Sequence, residues 1–154
     1  MVKAILFDCW GTLVEQGVRS PTKQVKELLN ITLPFSQYVV RMQHAMMTKE
    51  LPLNEAFQNV MTEFNIPFND DKIEQLVGMW NKNWMLAEPY EEVHEVLAQL
   101  KENHQLVLVS NTDSIAVNNI LEKFDLRKHF DHIFMSCEMG TIKTDEHFFS
   151  SILK

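Results

Sequence analysis

Two short segments, far apart in the chain, constrain the fold more than any other feature. Val2 to Phe7 reads VKAILF and Leu106 to Val109 reads LVLV. These are apolar runs without alternation, and each stops abruptly at polar residues. A strand with apolar side chains on both faces must be covered on both, which is the condition inside a parallel sheet. His132 to Met135 (HIFM) is a third such candidate. Amphipathic helices are predicted around these runs. Tyr90 to Asn103 places Val93, Val96, Leu97 and Leu100 on one face, Ser114 to Phe124 follows, and another helix begins at Thr144 and runs to the terminus. Strands alternating with helices imply right-handed crossovers and a helix-covered parallel sheet.

The stretch from Pro21 to about Met85 has a different rhythm. Val25, Leu28 and Leu29 form one apolar stripe after Ser20-Pro21, an N-cap and first-turn pair. Val39, Met42 and Met46 form a second, with Pro52 as a stop. Ala56, Phe57, Val60, Met61 and Phe64 form a third. Ile73, Leu76, Val77, Trp80 and Trp84 form a fourth, opening at Asp70-Asp71. The spacing predicts a compact helical bundle inserted after the first strand.

Totals narrow the class of partner. The 154 residues allow one domain with a modest insertion, and 45% apolar with 23% charged residues is ordinary for a globular chain. The net charge is −7 with no block of Lys and Arg, which argues against nucleic acid or an anionic membrane surface as a partner. Two cysteines, Cys9 and Cys137, make no disulfide framework and fit a reducing cytoplasm. No stretch approaches a membrane span, and the apolar start meets Asp8 too early for a signal peptide.

In open parallel sheets, ligands bind beyond the carboxyl ends of the strands. The residues there are Asp8, then Ser110 and Asn111, then Gly140 to Lys143 in the loop after the third strand. Singly, Ser110 reads as a helix N-cap and Lys143 as a solvated lysine. A carboxylate directly after a buried strand is harder to dismiss, because it must be desolvated, paired or functional.

Taken together, FDCWGTL, VLVSN and GTIKTDEHF resemble the first three motifs of the haloacid dehalogenase (HAD) superfamily of hydrolases. There an apolar strand leads into D-x-D-x-T, a second strand into S/T-N, and a third segment into G-x-x-K-P-D-x-x-x-F. The resemblance implies a Rossmann-like parallel core over 1–15 and 88–154, with a helical cap over 16–87. It implies Asp8 as nucleophile, attacking phosphorus or carbon to form a covalent ester. Ser110 would donate a hydrogen bond to a substrate oxygen, and Lys143 would offset developing charge. Asn111 and the backbone N–H groups near Cys9 and Trp10 would bind the substrate, a small anion, with Gly11 and Thr12 suiting the turn. In phosphatase members Mg²⁺ is held by the first Asp and the carbonyl two residues on, here Asp8 and Trp10, with acids of a fourth motif. A dehalogenase would need no metal.

The chain departs from that pattern twice. Trp10 stands where phosphatases carry the second Asp that protonates the leaving alcohol, and an indole N–H is a hydrogen-bond donor that does not ionise usefully. Loss of a general acid costs roughly 10²–10⁴-fold, most with poor leaving groups. The 2-haloacid dehalogenases carry an aromatic Tyr there, and halide leaves without a proton. Trp10 therefore raises the dehalogenase reading or favours activated phosphates, while packing between core and cap explains it equally well. In addition, the sequence stops at Lys154, before any fourth motif. This predicts a fragment or a chain completed by another, with VKAILF as a free sheet edge open to strand exchange or homodimerisation.

The remaining features carry bland expectations. The six histidines show no metal-ligand spacing, and Cys9 reads as a small buried filler. The MQHAMM run and Trp80/Trp84 read as cap core, with the cap–core cleft as the alternative. Arg19 and Arg41 are candidate charges for an anionic substrate. The sequence thus predicts an α/β HAD-like hydrolase, foremost a phosphatase of small phosphomonoesters. A metal-independent 2-haloacid dehalogenase and a non-catalytic binding protein are the alternatives.

Overall fold

A computed structural model describes residues 2–152; the sequence-based expectations for Met1, and for the last helix at Leu153 and Lys154, lie outside them. The centre of the molecule is a three-stranded parallel sheet. Its strands are β1 (Ala4–Phe7), β4 (Gln105–Ser110) and β5 (His132–Met135), in the order β1-β4-β5. β4 lies in the middle because it is apolar on both faces: Leu106 and Leu108 point one way, Val107 and Val109 the other, and all four are buried. The first pair joins a large cluster with Val93 and Leu97 of α5 (Val93–Lys101) and Val117, Ile120 and Leu121 of α6 (Ala116–Lys123). The second pair meets Phe148 of α8 (Phe148–Ile152).

β1 is only partly buried, and Leu6 is 37% exposed. Its apolar run suits burial on both faces, yet among the described residues it pairs with β4 alone and forms the free sheet edge that the sequence also predicts. An apolar run specifies that a strand wants cover; it does not specify how many neighbours supply it.

Between β1 and β4 the chain folds four helices: α1 (Pro21–Leu28), α2 (Phe35–Met47), α3 (Leu53–Glu63) and α4 (Asp70–Met85). They close on their own apolar cluster, in which Tyr38, Met42, Met46, Phe57, Met61 and Leu76 are fully buried. Asn69 caps α4, its side chain accepting from the Lys72 N–H at 2.8 Å. Ser20 does not cap α1 as expected. It takes a left-handed conformation (φ 48°), its hydroxyl makes no cap bond, and its carbonyl serves the Lys23 N–H instead. With Pro21 supplying no N–H, one donor at that end needed no cap in any case.

Sequence periodicity does not reveal the two-stranded ribbon through which the helical unit leaves and rejoins the sheet. β2 (Val14–Glu15) pairs antiparallel with β3 (Glu88–Pro89). Gly17 closes the same junction: a Cβ there would lie 2.4 Å from the Asn83 carbonyl oxygen, so only glycine fits. Two-residue strands leave no period to read. The predicted helix starts at Tyr90, Ser114 and Thr144 are likewise early, with turns occupying those positions before Val93, Ala116 and Phe148. The short α7 (Ser136–Met139) ends at Gly140, whose φ of 74° turns the chain into the loop that carries Lys143.

Candidate active site

β1 ends at Phe7 opposite Leu108, and β4 runs on to Ser110 opposite Met135. Asp8 and Ser110-Asn111 therefore leave the sheet at one rim. After Asp8 the chain winds once on itself: the Leu13 and Val14 N–H groups both donate to the Cys9 carbonyl, and the Gly11 N–H donates to Val14. Gly11 takes φ 74°, which a side chain disfavours. This turn lifts Trp10 to the cleft wall while one side of its indole packs against the core cluster.

Lys143 reaches this rim from the far loop. Its Nζ lies 2.7 Å from Asp8 Oδ1, which also accepts from the Cys9 N–H at 2.8 Å. The Asp8 side chain is 45% exposed and that of Lys143 24%. Asp8 is thus paired, not desolvated, which answers why a carboxylate tolerates the end of an apolar strand. Both hydrogen bonds fall on one oxygen, and among the described residues no hydrogen bond engages Oδ2. Asn111 accepts from the Lys143 backbone N–H at 2.9 Å and donates to Gln43 of α2 at 3.0 Å.

Ser110 differs from these. It is the last residue of β4, is fully buried, and its Oγ has no hydrogen-bond partner among the described residues. The N-cap role open to it falls instead to Asp113, which accepts from the Ile115 and Ala116 N–H groups at 2.8 and 2.9 Å. A buried hydroxyl without a partner costs about 1–3 kcal/mol, so its place beside Asn111 is costly unless something else meets it. Cys9 is fully buried, and burial, with the Asp8 charge as the next cause, pushes its thiol up to about 12, Lys143 opposing weakly. It is a neutral filler, and its N–H, expected to cradle substrate oxygens, is donated to Asp8.

A cleft of about 260 Å³ opens over Asp8, Trp10, Asn111 and Lys143. The helical unit roofs it with Gln43, Met47, Trp80 and Asn83, and Gln16 and Thr22 complete the wall. The MQHAMM run therefore divides: Met42 and Met46 fill the helical core, Gln43 faces the cleft, and Met47 belongs to that core while its edge lines the cleft. Trp80 divides likewise, its ring edge-on to Phe57 and its indole N–H donating to Asp113 Oδ2 at 2.8 Å. Trp84 departs from the expected helical core and packs against the sheet's cluster instead. Neither arginine lines the cleft; Arg41 pairs with Glu63 at 2.6 Å and lies over the Phe64 ring.

The chemistry of the donor set tests for a metal. Among the described residues no three His, Cys, Asp or Glu side chains converge as a metal site. Asp8 and the Trp10 carbonyl are the ligands that the sequence suggests for Mg²⁺. Asp8 is already held by an ammonium, and the other carboxylate of the cleft, Asp113, is occupied by three N–H donors. The described residues do not by themselves fit the ion.

Comparison with known proteins supplies the context for this rim. The family model for haloacid dehalogenase-like hydrolases matches residues 2–154. A HAD family enzyme of Bacteroides thetaiotaomicron, bt-2542, superposes with TM-score 0.64 at 18% identity, over 98% of this chain and 76% of that one. A predicted HAD-like family hydrolase of Porphyromonas gingivalis gives 0.62 at 18% identity, over 99% and 75%. L-2-haloacid dehalogenase of Xanthobacter autotrophicus gives 0.58 at 14% identity, over 99% of this chain and 64% of that one. No curated protein matches the sequence. Identities this low speak for the fold alone; the family model, which spans nearly the whole chain, speaks for descent. By that match the chain belongs to the haloacid dehalogenase-like hydrolases.

Proposed function

We propose that the protein hydrolyses small phosphomonoesters through an aspartyl-phosphate on Asp8, with α1–α4 acting as a cap over the site. The observation that carries this reading is the pairing of Asp8 with Lys143 through one oxygen only, at the floor of a polar cleft. Oδ1 is fixed by the ammonium and the Cys9 N–H, which leaves Oδ2 to attack phosphorus in line. The phosphorus–oxygen bond to the leaving group breaks as the Oδ2–phosphorus bond forms, and its electron pair departs with the leaving oxygen. Lys143 balances the charge that gathers on the phosphoryl oxygens, and the orphaned Ser110 hydroxyl is a donor aimed at no protein group. Water then attacks phosphorus, releasing phosphate and restoring the carboxylate.

Neither Trp10 nor Asp113 can protonate a leaving alkoxide. An indole N–H does not ionise usefully, and Asp113 spends its oxygens on three donors. The favoured substrates are therefore phosphates whose leaving group departs unprotonated, such as aryl or acyl phosphates. The related bt-2542 has been crystallised with magnesium and inorganic phosphate, which supports phosphate as the ligand of such a rim. Two unpaired, buried cysteines fit a cytoplasmic setting. No helix among the described residues is long and apolar enough to cross a membrane.

The second reading, a metal-independent 2-haloacid dehalogenase, is favoured by Trp10 and by the donor set that does not fit Mg²⁺. Against it stands the cleft. Its wall carries the amides of Gln16, Gln43, Asn83 and Asn111, which suit the several oxygens of a phosphoryl group better than the carbon chain of a short haloacid. Assay of the protein with p-nitrophenyl phosphate and with 2-chloropropionate, each with and without Mg²⁺, separates the two. Phosphate release that exceeds chloride release is the expected result. Chloride release without metal, in the absence of phosphate release, overturns the phosphatase reading.

A further inference from the structure

The loop that carries Lys143 has no regular structure of its own between Met139 and Phe148. Hydrogen bonds that begin on α2 hold it in place. Gln43 Oε1 accepts from Asn111 Nδ2 at 3.0 Å, and Asn111 Oδ1 accepts from the Lys143 N–H at 2.9 Å. Both ends of the Asn111 amide are thereby engaged, and its orientation is fixed. His44, the next residue of α2, places Nε2 2.8 Å from Asp145 Oδ1. The other oxygen of Asp145 accepts from the Ile142 N–H at 2.8 Å and the Thr141 hydroxyl at 2.6 Å. The Thr141 hydroxyl first, then the Ile142 N–H, hold the Asp145 carboxyl below its usual range. Two consecutive side chains of α2 thus grip two consecutive amides of the loop, each through one intermediary.

We propose that Gln43 and His44 are positioning residues for Lys143. They fix the backbone from which its long, flexible side chain reaches Asp8, so the ammonium arrives at the nucleophile only while α2 is seated on the rim. Lysine is a point charge on a four-carbon stem, and fixing its root sets where that charge falls. Displacement of a catalytic group by about 1 Å costs up to about 10²-fold in rate, so a polar pair that holds the loop gains leverage over the ammonium the loop carries. The consequence for catalysis rests on the roles proposed above for Asp8 and Lys143; the grip on the loop does not.

Hydrogen–deuterium exchange on the full chain, resolved at Ile142 and Lys143, tests the grip directly. Gln43→Met keeps the side chain's bulk and removes its amide. It is expected to speed exchange of the Lys143 amide about fivefold, the worth of one net hydrogen bond, while the β4 amides stay unchanged. His44→Ala should do the same at Ile142, and Gln43→Glu, which keeps an acceptor, should restore protection at Lys143. With p-nitrophenyl phosphate, His44→Ala, at a position that does not line the cleft, should lower kcat about tenfold at constant KM. Equal exchange at Lys143 in Gln43→Met and the wild type overturns the inference, as does acceleration spread evenly over all amides. Local acceleration in a protein whose wild type turns over no aryl phosphate upholds the grip and overturns the proposed function instead.

Discussion

Both ends of the three-stranded sheet gather charged and titratable side chains, and they resolve them in opposite ways. At the end where β4 begins, Asp131 accepts from the Leu106 N–H at 2.9 Å and pairs with Lys101 at 3.4 Å. Lys101 also donates to the carbonyls of Lys128 and His129, and the His94 and His129 rings meet at 3.1 Å. At the end where β4 stops, Asp8 keeps one oxygen unengaged on the floor of a cleft, and Ser110, buried behind the cleft wall, has a hydroxyl with no partner. A cluster of charge is therefore a poor guide to a site. Two histidines, one lysine and an aspartate at one end form a clasp, whereas an unmet donor and a half-exposed carboxylate mark the other.

The strongest way to break this contrast is to remove the cation of the cleft. Lys143→Met should lower turnover of aryl phosphate about 10²–10³-fold, as loss of a charge-stabilising donor does, and leave the melting curve nearly unchanged. Ser110→Ala comes next. It should lower kcat/KM about tenfold to a hundredfold while raising stability by up to ~1 kcal/mol, because the alanine leaves no buried hydroxyl unmet. A loss of stability in that variant would place Ser110 with the structural hydroxyls. At the opposite end the signs reverse. Asp131→Ala should leave kcat untouched and cost about 1–2 kcal/mol in a denaturant melt, since the Leu106 N–H loses its partner.

Acid titration sharpens the same comparison with smaller effects. The Leu106 N–H chiefly, with Lys101, holds the Asp131 carboxyl below its usual range. Its stabilisation is complete above the unfolded value of about 3.9 and is lost as pH falls through the lower folded value. Burial first, then the His94 charge, push the His129 imidazole below its ordinary value. The unfolded chain therefore takes up that proton more readily, and stability falls as pH drops below about 6.5. Between pH 7 and about pH 5.5 the wild type should lose more Tm than His129→Gln, which a pair of thermal melts at the two pH values checks.

Much of this molecule is legible in the sequence, for reasons that also explain the gaps. β4 and β5 are readable as short, unbroken apolar runs, and the four helices between β1 and β4 announce themselves by stripes of Val, Met and Phe. The β2–β3 ribbon is two residues long and includes Pro89, so no period betrays it. Asp8, Asn111 and Lys143 are found because strand ends of parallel sheets are where ligands sit, and the structure brings all three to one cleft. Gln43 and His44 escape notice because they lie inside MQHAMM. There the methionines dominate the pattern, and the run as a whole reads as helical core, which leaves its polar face unread. The readable signal was that face's own chemistry, an amide beside an imidazole, on a helix that had to cover a polar rim.

The central claim is that Asp8 forms a covalent phosphoryl ester. Acid quenching of the protein within its first turnover of p-nitrophenyl phosphate, followed by peptide mass spectrometry, tests it most directly. The account predicts one phosphoryl group on the peptide that contains Asp8, mapped to that carboxylate and absent from Asp8→Asn, which should turn over at least about 10³-fold more slowly. A phosphoryl group on another residue, or steady turnover by Asp8→Asn at the wild-type rate, would contradict it.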